Sequence, residues 1–376
     1  MIAEWQFFCA LGFFSVFACI LFASIWMLFG LKLAWHRSRQ NVWIDVYRFW
    51  VRIFALSLVV CMSASIPLLI QLGTLWPNLL MKIAGVAVPL LCLAILLAFV
   101  CRLIFLNVML YWQNKIAAHW HTLSVLLSAL GISVIFYLII SLQAWMGLPQ
   151  GTVKTEGSMV VYDWLAVLFH HEIPWRLLLV FAGSSLSLGF MMMGVSAWQA
   201  LYRPLNQAEQ QSFNIGVALA LYGFAFFLGI MLFQSELFFI AFENEGWRYL
   251  WRAVIALLCV MALQLALVCF YSMLKTRGVS RFPLLLQRGC AGMTFSGWLL
   301  IVFVGALSFF RNLPFIVQGQ IALQEVFQNP GLPVLSVTSL IYLLVYMVVG
   351  AGFVMMIYRA ARYGVVPVRK TIGGTA

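Results

Sequence analysis

Long apolar runs alternate with short polar breaks along the whole chain. Nine runs cover approximately residues 6–31, 50–74, 81–109, 122–147, 175–201, 212–242, 249–274, 291–310 and 332–360. Each is long enough to cross a hydrocarbon core of about 30 Å. Each is predicted to be a helix, because an irregular backbone facing lipid would leave N–H and C=O groups unsatisfied. The fold class is therefore an all-α polytopic membrane protein, a single transmembrane domain over 1–376. The connection at 148–174, "LPQGTVKTEGSMVVYDWLAVLFHHEIP", is the longest polar one. Its "VVYDWLAVLF" segment is predicted to lie along the membrane surface as an amphipathic helix, with Trp164 and Trp175 at headgroup depth. Trp76, Trp145 and Trp247 would join the same outer belt, and Trp35, Trp43, Trp50 and Trp198 an inner one.

Composition agrees with the pattern. Of the 376 residues 65% are hydrophobic and 9% charged, against about a quarter charged in soluble domains. The net charge of +12 does not point to nucleic acid, because the basic residues sit in short loops rather than among aromatic platforms. Sixteen of the 22 lysines and arginines fall at one set of loops and span ends. That asymmetry places the N-terminus outside and the C-terminus in the cytoplasm. The "MIAEWQFF" start has no basic region before its apolar run and reads as a retained helix. None of the eight cysteines has CxxC spacing, so they read as packing residues.

Candidate chemistry is sparse. His170 and His171 are adjacent, which on a helix would aim them about 100° apart, and they read as interfacial. His119 and His121 flank Trp120 at a spacing wrong for one helix face and read the same way. His36 belongs to a basic surface run. No histidine falls inside a predicted span, although membrane haem proteins usually ligate iron through one. Met191, Met192 and Met193 are the other axial option, but a methionine run on such a helix is far more often packing. Charges near span ends are Glu236, Glu243, Glu245, Arg102 and Arg252. Glu236 and Arg252 stand at the outer ends of consecutive spans and are expected to pair. No phosphate-binding loop, zinc-protease motif or nucleophile elbow is present.

Several stretches, in order, resemble subunit I of the cytochrome bd quinol oxidases. "RFWVRIF" (48–54) and "LGTLW" (72–76) resemble its second span and outer turn, and "VPLLCLAILLAFVCRLIFLNVMLYW" (88–112) its third. "AWMGLP" (144–149) resembles the family's "GWMxxP", "GVSAWQAL" (194–201) its "GISAWYLL", and "FFRNLPF" (309–315) its "YGRQPW". "WRAVIALLCVMALQLALV" is similar to the seventh span and "RAARYGVVP" to the cytoplasmic exit.

The resemblance implies a nine-span bundle of that type. It also implies that the chemistry has been lost. The family's first-span histidine falls at about Ser15, its third-span glutamates on Leu93 and Cys101, and its fifth-span axial histidine on Leu179. The seventh-span methionine falls on Val254 and the eighth-span glutamate on Ser308, with Val304 for the tryptophan beside it. Arg252 and Arg311 are kept, and the quinol-binding loop is cut to "ENEGWR". The implied function is a haem-free, non-catalytic subunit that pairs with and stabilises a redox-active partner, a subunit I-like or subunit II-like or other redox membrane chain, in a quinone-linked oxidoreductase. No metal or cofactor is expected, while bound lipid or quinone fits the apolar interior. Two alternatives stay open. One is a redox subunit holding haem b or quinone through His119, His121, His170 or His171. The other is a transporter, small-molecule binder or assembly factor that reuses the fold.

Overall fold

The computed structural model describes residues 2–112, 115–155, 157–233, 245–274, 279–310, 314–326 and 332–364. Among these, nine helices are long and apolar enough to cross a membrane. In chain order the helices are α1 (Ile2–Ser38), α2 (Asn41–Leu75), α3 (Pro77–Cys101), α4 (Asn107–Tyr111), α5 (Ala118–Gly147), α6 (Trp164–Leu168), α7 (Ile173–Tyr202) and α8 (Gln207–Phe233). Then come α9 (Glu245–Met273), α10 (Leu284–Gly292), α11 (Ser296–Phe310), the short α12 (Leu323–Val326) and α13 (Leu332–Tyr363). A π-helical turn, Arg102–Leu106, joins α3 to α4 within one span.

Helix α7 is the central column. It packs against α8 along its length and also touches α1, α5, α10, α11 and α13. The close contacts are made by glycine, because in lipid there is no hydrophobic force between helices and van der Waals approach has to replace it. A Cβ on Gly189 would lie 2.6 Å from the Ala220 nitrogen of α8, and one on Gly223 would lie 2.8 Å from the Leu186 nitrogen. Across the other face, a Cβ on Gly297 would meet the Ser187 Cα at 2.3 Å. The methionine run, Met191 to Met193, is fully buried and fills the space between these seams.

Each of the nine predicted spans overlaps one of these long apolar helices, the end of the sixth, 234–242, lying outside the described residues, and three differences stand out. The eighth runs from Leu284, seven residues earlier than expected, and breaks at 293–295. Gln287 makes the early start tolerable by donating to the Val279 and Phe282 carbonyls. At the break Thr294 hydrogen-bonds back to the Ala291 carbonyl and sits against Gly194, where a Cβ would meet its Oγ1 at 2.0 Å. The connection at 148–172 is not one amphipathic helix. Residues Thr152–Thr155 (β1) and Ser158–Val161 (β2) form an antiparallel hairpin, and only Trp164–Leu168 is helical. Asp163 stops the strand and caps α6, its Oδ1 accepting from the Leu165 and Ala166 nitrogens. The hairpin lies on α3 at Gly85, where any side chain would strike the Met159 carbonyl.

The third difference concerns tryptophan. Trp50, Trp76 and Trp145 are buried in the protein, not spread in belts. Trp50 donates to Ser212 Oγ at 2.8 Å, which ties α2 to α8, and Trp145 donates to Thr152 Oγ1 at 3.3 Å. Trp247 lies outside the residues whose side chains are described. A second hairpin, Phe315–Val317 (β3) with Ile321–Ala322 (β4), is anchored to the end of α5 by Gln318, whose nitrogen donates to the Met146 carbonyl. One end of the bundle thus carries both hairpins. The other carries the α1–α2 turn, the α7–α8 turn and the end of α13.

Candidate functional site

Leu179 and Val254, where the resemblance would place an axial pair, are apolar side chains packed on one core. Leu179 is half-buried against the core that holds Val254, itself fully buried, among Leu186, Phe190 and Phe227. Neither side chain can donate to a metal, and both pack on the same apolar core. Ser15 is half-buried on α1 between Phe13, Phe14 and Phe17. Those rings belong to an aromatic wall. Phe17 packs against Phe353 at 4.8 Å and Trp298 at 5.5 Å, and Phe13 against Tyr346 at 4.9 Å. A porphyrin entering between α1, α11 and α13 would have to displace that wall. Ser308 and Val304 are half-buried on α11. Leu93 is on the outside of α3, and Cys101 is buried against Gly131. The residues present do not fit a haem at these positions, and no group of three or more His, Cys, Asp or Glu among the described residues could hold a metal ion.

The histidines are placed differently from the sequence expectation. His121 is not interfacial but fully buried, within the bundle where α1, α2, α4 and α5 meet. Its Nε2 lies 3.1 Å from the Met109 carbonyl. A carbonyl only accepts, so Nε2 carries the proton, and the Nδ1 lone pair is buried with no hydrogen-bond partner among the described residues. His170 is buried as well, and it is not on a helix. Its ring stacks on His171 at 4.5 Å, tilted by 33°, and its Nδ1 accepts from the Glu172 nitrogen. The 100° divergence expected for helical neighbours therefore does not arise. His171 and His119 are exposed. Arg252 is exposed with its guanidinium 5.7 Å from the Tyr249 ring centre. Its expected partner Glu236, with Glu243 and Arg311, lies outside the described residues.

Two charged groups that sequence reasoning passed over are buried. Glu209 is 1% exposed at the start of α8. It accepts from both guanidinium NH2 groups of Arg203 and, at 3.1 Å, from the Asn206 nitrogen, while Asn206 Oδ1 accepts from the Glu209 nitrogen at 2.8 Å. This is a capping box, legible in "NQAE" at 206–209. Gly364, with φ +67°, closes over the pair from the end of α13, and a side chain there would collide with Arg203. Lys32 is 4% exposed, with its ammonium 4.5 Å from the Tyr47 ring centre and 5.9 Å from that of Trp35. At the opposite end, an open cleft of about 300 Å3 is lined by Asn78, Met81, Lys82, Gly157, Ser158 and Glu325, with Lys82 bound to Glu325 at 3.0 Å.

Comparison with known proteins sets these features in a family. The model of the cytochrome bd terminal oxidase subunit I family matches residues 2–236. Cytochrome bd ubiquinol oxidase subunit 1 of Bacillus subtilis is 20% identical over 221 residues, covering 59% of this chain and 47% of that protein. Cytochrome bd-II ubiquinol oxidase subunit 1 of Escherichia coli is 22% identical over 225 residues, covering 57% and 42%. The matches thus span less than half the length of these curated relatives. A chain from the structure of bd oxidase from Geobacillus thermodenitrificans superposes with a TM-score of 0.83 at 17% identity, over 96% of this chain and 98% of that one. The fold is shared nearly end to end with a chain of closely similar length, and this protein belongs to the cytochrome bd terminal oxidase subunit I family.

Proposed function

We propose that this chain is a haem-free, non-catalytic member of its family that pairs with a redox-active membrane subunit and stabilises it within a respiratory oxidase of the bacterial cytoplasmic membrane. The observation that carries the reading is the single apolar core containing Leu179 and Val254, the two positions at which the family resemblance expects an axial pair. Replacing two donors by two packing residues in contact with one core removes the ligands and the cavity together. The aromatic wall around Phe17 supports the same conclusion for the neighbouring site. Retention of the bundle and its glycine seams supports a role as packing surface. The charge asymmetry favours an external N-terminus and a cytoplasmic C-terminus.

A reduced-minus-oxidised spectrum of the purified full chain tests the proposal. The expected result is no b-type signal, and a stoichiometric one would overturn it. Purification of the native complex should recover a haem-bearing membrane subunit; a lone chain would count against the pairing. One observation favours a second reading, in which the chain holds haem through another ligand: the unpartnered Nδ1 of buried His121. A b-type signal abolished by His121→Gln would establish it.

A further inference from the structure

Among the described residues the buried cation Lys32 has no carboxylate partner, and its ammonium lies against the faces of Tyr47 and Trp35. Arg48 stands close enough for the like charges to oppose each other. Burying a charge is costly unless it is paired and hydrogen-bonded, and a cation–π contact supplies only part of that. Around the ammonium, hydrogen-bonding capacity is left over. The Tyr47 hydroxyl is fully buried with no partner, and the His121 ring packs edge-on to Tyr47 at 6.0 Å with its Nδ1 lone pair unused. In the α1–α2 turn Arg39 adopts φ +57°, and its guanidinium lies 5.2 Å from the centre of the Trp35 ring.

We propose that Lys32, Tyr47 and His121 form a binding site for a phosphate oxyanion that also carries a hydroxyl, supplied by an anionic lipid headgroup such as phosphatidylglycerol or by free hydrogen phosphate. The phosphate oxygens accept from the Lys32 ammonium and the Tyr47 hydroxyl. The ligand's own hydroxyl donates to His121 Nδ1. One ligand thereby neutralises the unpaired cation and satisfies both orphaned groups. The site lies at the end of the bundle that the charge asymmetry assigns to the cytoplasm, where basic pockets between spans meet anionic headgroups.

The test is thermal unfolding of the delipidated full chain in neutral detergent, titrated separately with phosphatidylglycerol, phosphatidylcholine and inorganic phosphate. Phosphatidylglycerol is expected to raise the midpoint, and phosphatidylcholine, which has no free hydroxyl, to raise it less. Lys32→Met should weaken the response more than about tenfold in concentration, and Tyr47→Phe about fivefold. Arg37→Gln, an exposed charge on the same surface, should leave it intact. The same Lys32-dependent rise with inorganic phosphate would support the site and assign the free anion as its source. If Lys32→Met does not fold, Tyr47→Phe decides alone, since it removes one oxygen. A response independent of Tyr47 and Lys32, or one lost equally in Arg37→Gln, would overturn the proposal. Equal responses to the two lipids would overturn the hydroxyl-bearing assignment.

Discussion

Helices α7 and α3 both belong to apolar spans, but they do opposite jobs. The span containing α7 has the lowest mean hydropathy of the nine and the largest buried share, 72%; the span containing α3 ties for the highest mean hydropathy and is 28% buried. In a soluble protein the order would be reversed. Here lipid is as apolar as leucine, so the exposed helix gains nothing by being less so, whereas the buried helix is selected for close approach. That is why α7 carries Gly189, Gly194 and buried Ser184, Ser185 and Ser187, while α3 shows Leu93, Ile95, Leu96 and Phe99 to the outside.

The comparison can be broken first at Gly189. Gly189→Leu forces side-chain atoms into the α8 backbone, which cannot yield as a side chain could. It should cost about 3 kcal/mol, read as a lower unfolding midpoint and a poor yield of folded chain in detergent. Gly183→Ala, six residues away where a Cβ meets nothing within 4 Å, should cause no loss. If the two behave alike, the glycine seam is not what holds α7. Next in size is Arg203→Ala at the foot of α7. It removes the guanidinium from which the buried Glu209 carboxylate accepts, and should cost about 2 kcal/mol, since Arg203 itself is partly exposed. Chemical denaturation of the purified variant would show it.

On α3, Leu93→Ala should change the stability of the isolated chain by no more than about 0.5 kcal/mol. The same variant assayed by co-purification sharpens the contrast, because a loss there would mean that a partner, not lipid, covers this face. The smallest effect concerns the base of α3, where Lys82 bonds Glu325. The hydrogen bond and charge of Lys82 hold the Glu325 carboxyl below its ordinary value of 4.5. A carboxylate lowered on folding contributes stability above its unfolded pKa and loses it as the pH falls through the folded one. Comparing Glu325→Gln with the parent from neutral pH down through the acid range should show a small difference that vanishes in acid and in high salt.

How much of this was legible depends on what kind of force fixes each part. The spans were, because lipid admits nothing but continuous helix, and an apolar run is therefore close to a sufficient signal. The Leu284 start was less so, since Gln287 and Arg288 read as loop until Gln287 is seen bonded to two carbonyls. The outer hairpin was hidden because Val160 and Val161 serve an amphipathic helix or a strand equally well; Gly151 and Gly157, both at positive φ, were the available cue. At the candidate site the substitutions at Leu179 and Val254 could be read in one dimension, and their packing on one core could not. The burial of His121, Lys32 and Glu209 depends on which helices surround them, and no local pattern reports that. For Glu209 alone the capping-box spacing offered a hint.

The contacts at the end of α13 bear on the order in which the molecule can be completed. Gln199 of α7 donates to the Ala361 carbonyl, and Gly364 covers the Arg203–Glu209 pair. Spans enter the membrane in chain order as they are synthesised. Throughout the synthesis of α8 to α11 the foot of the central column therefore waits with an amide and an ion pair uncovered. Only α13 seals it, so the middle of the chain reaches its finished state no sooner than α13 does.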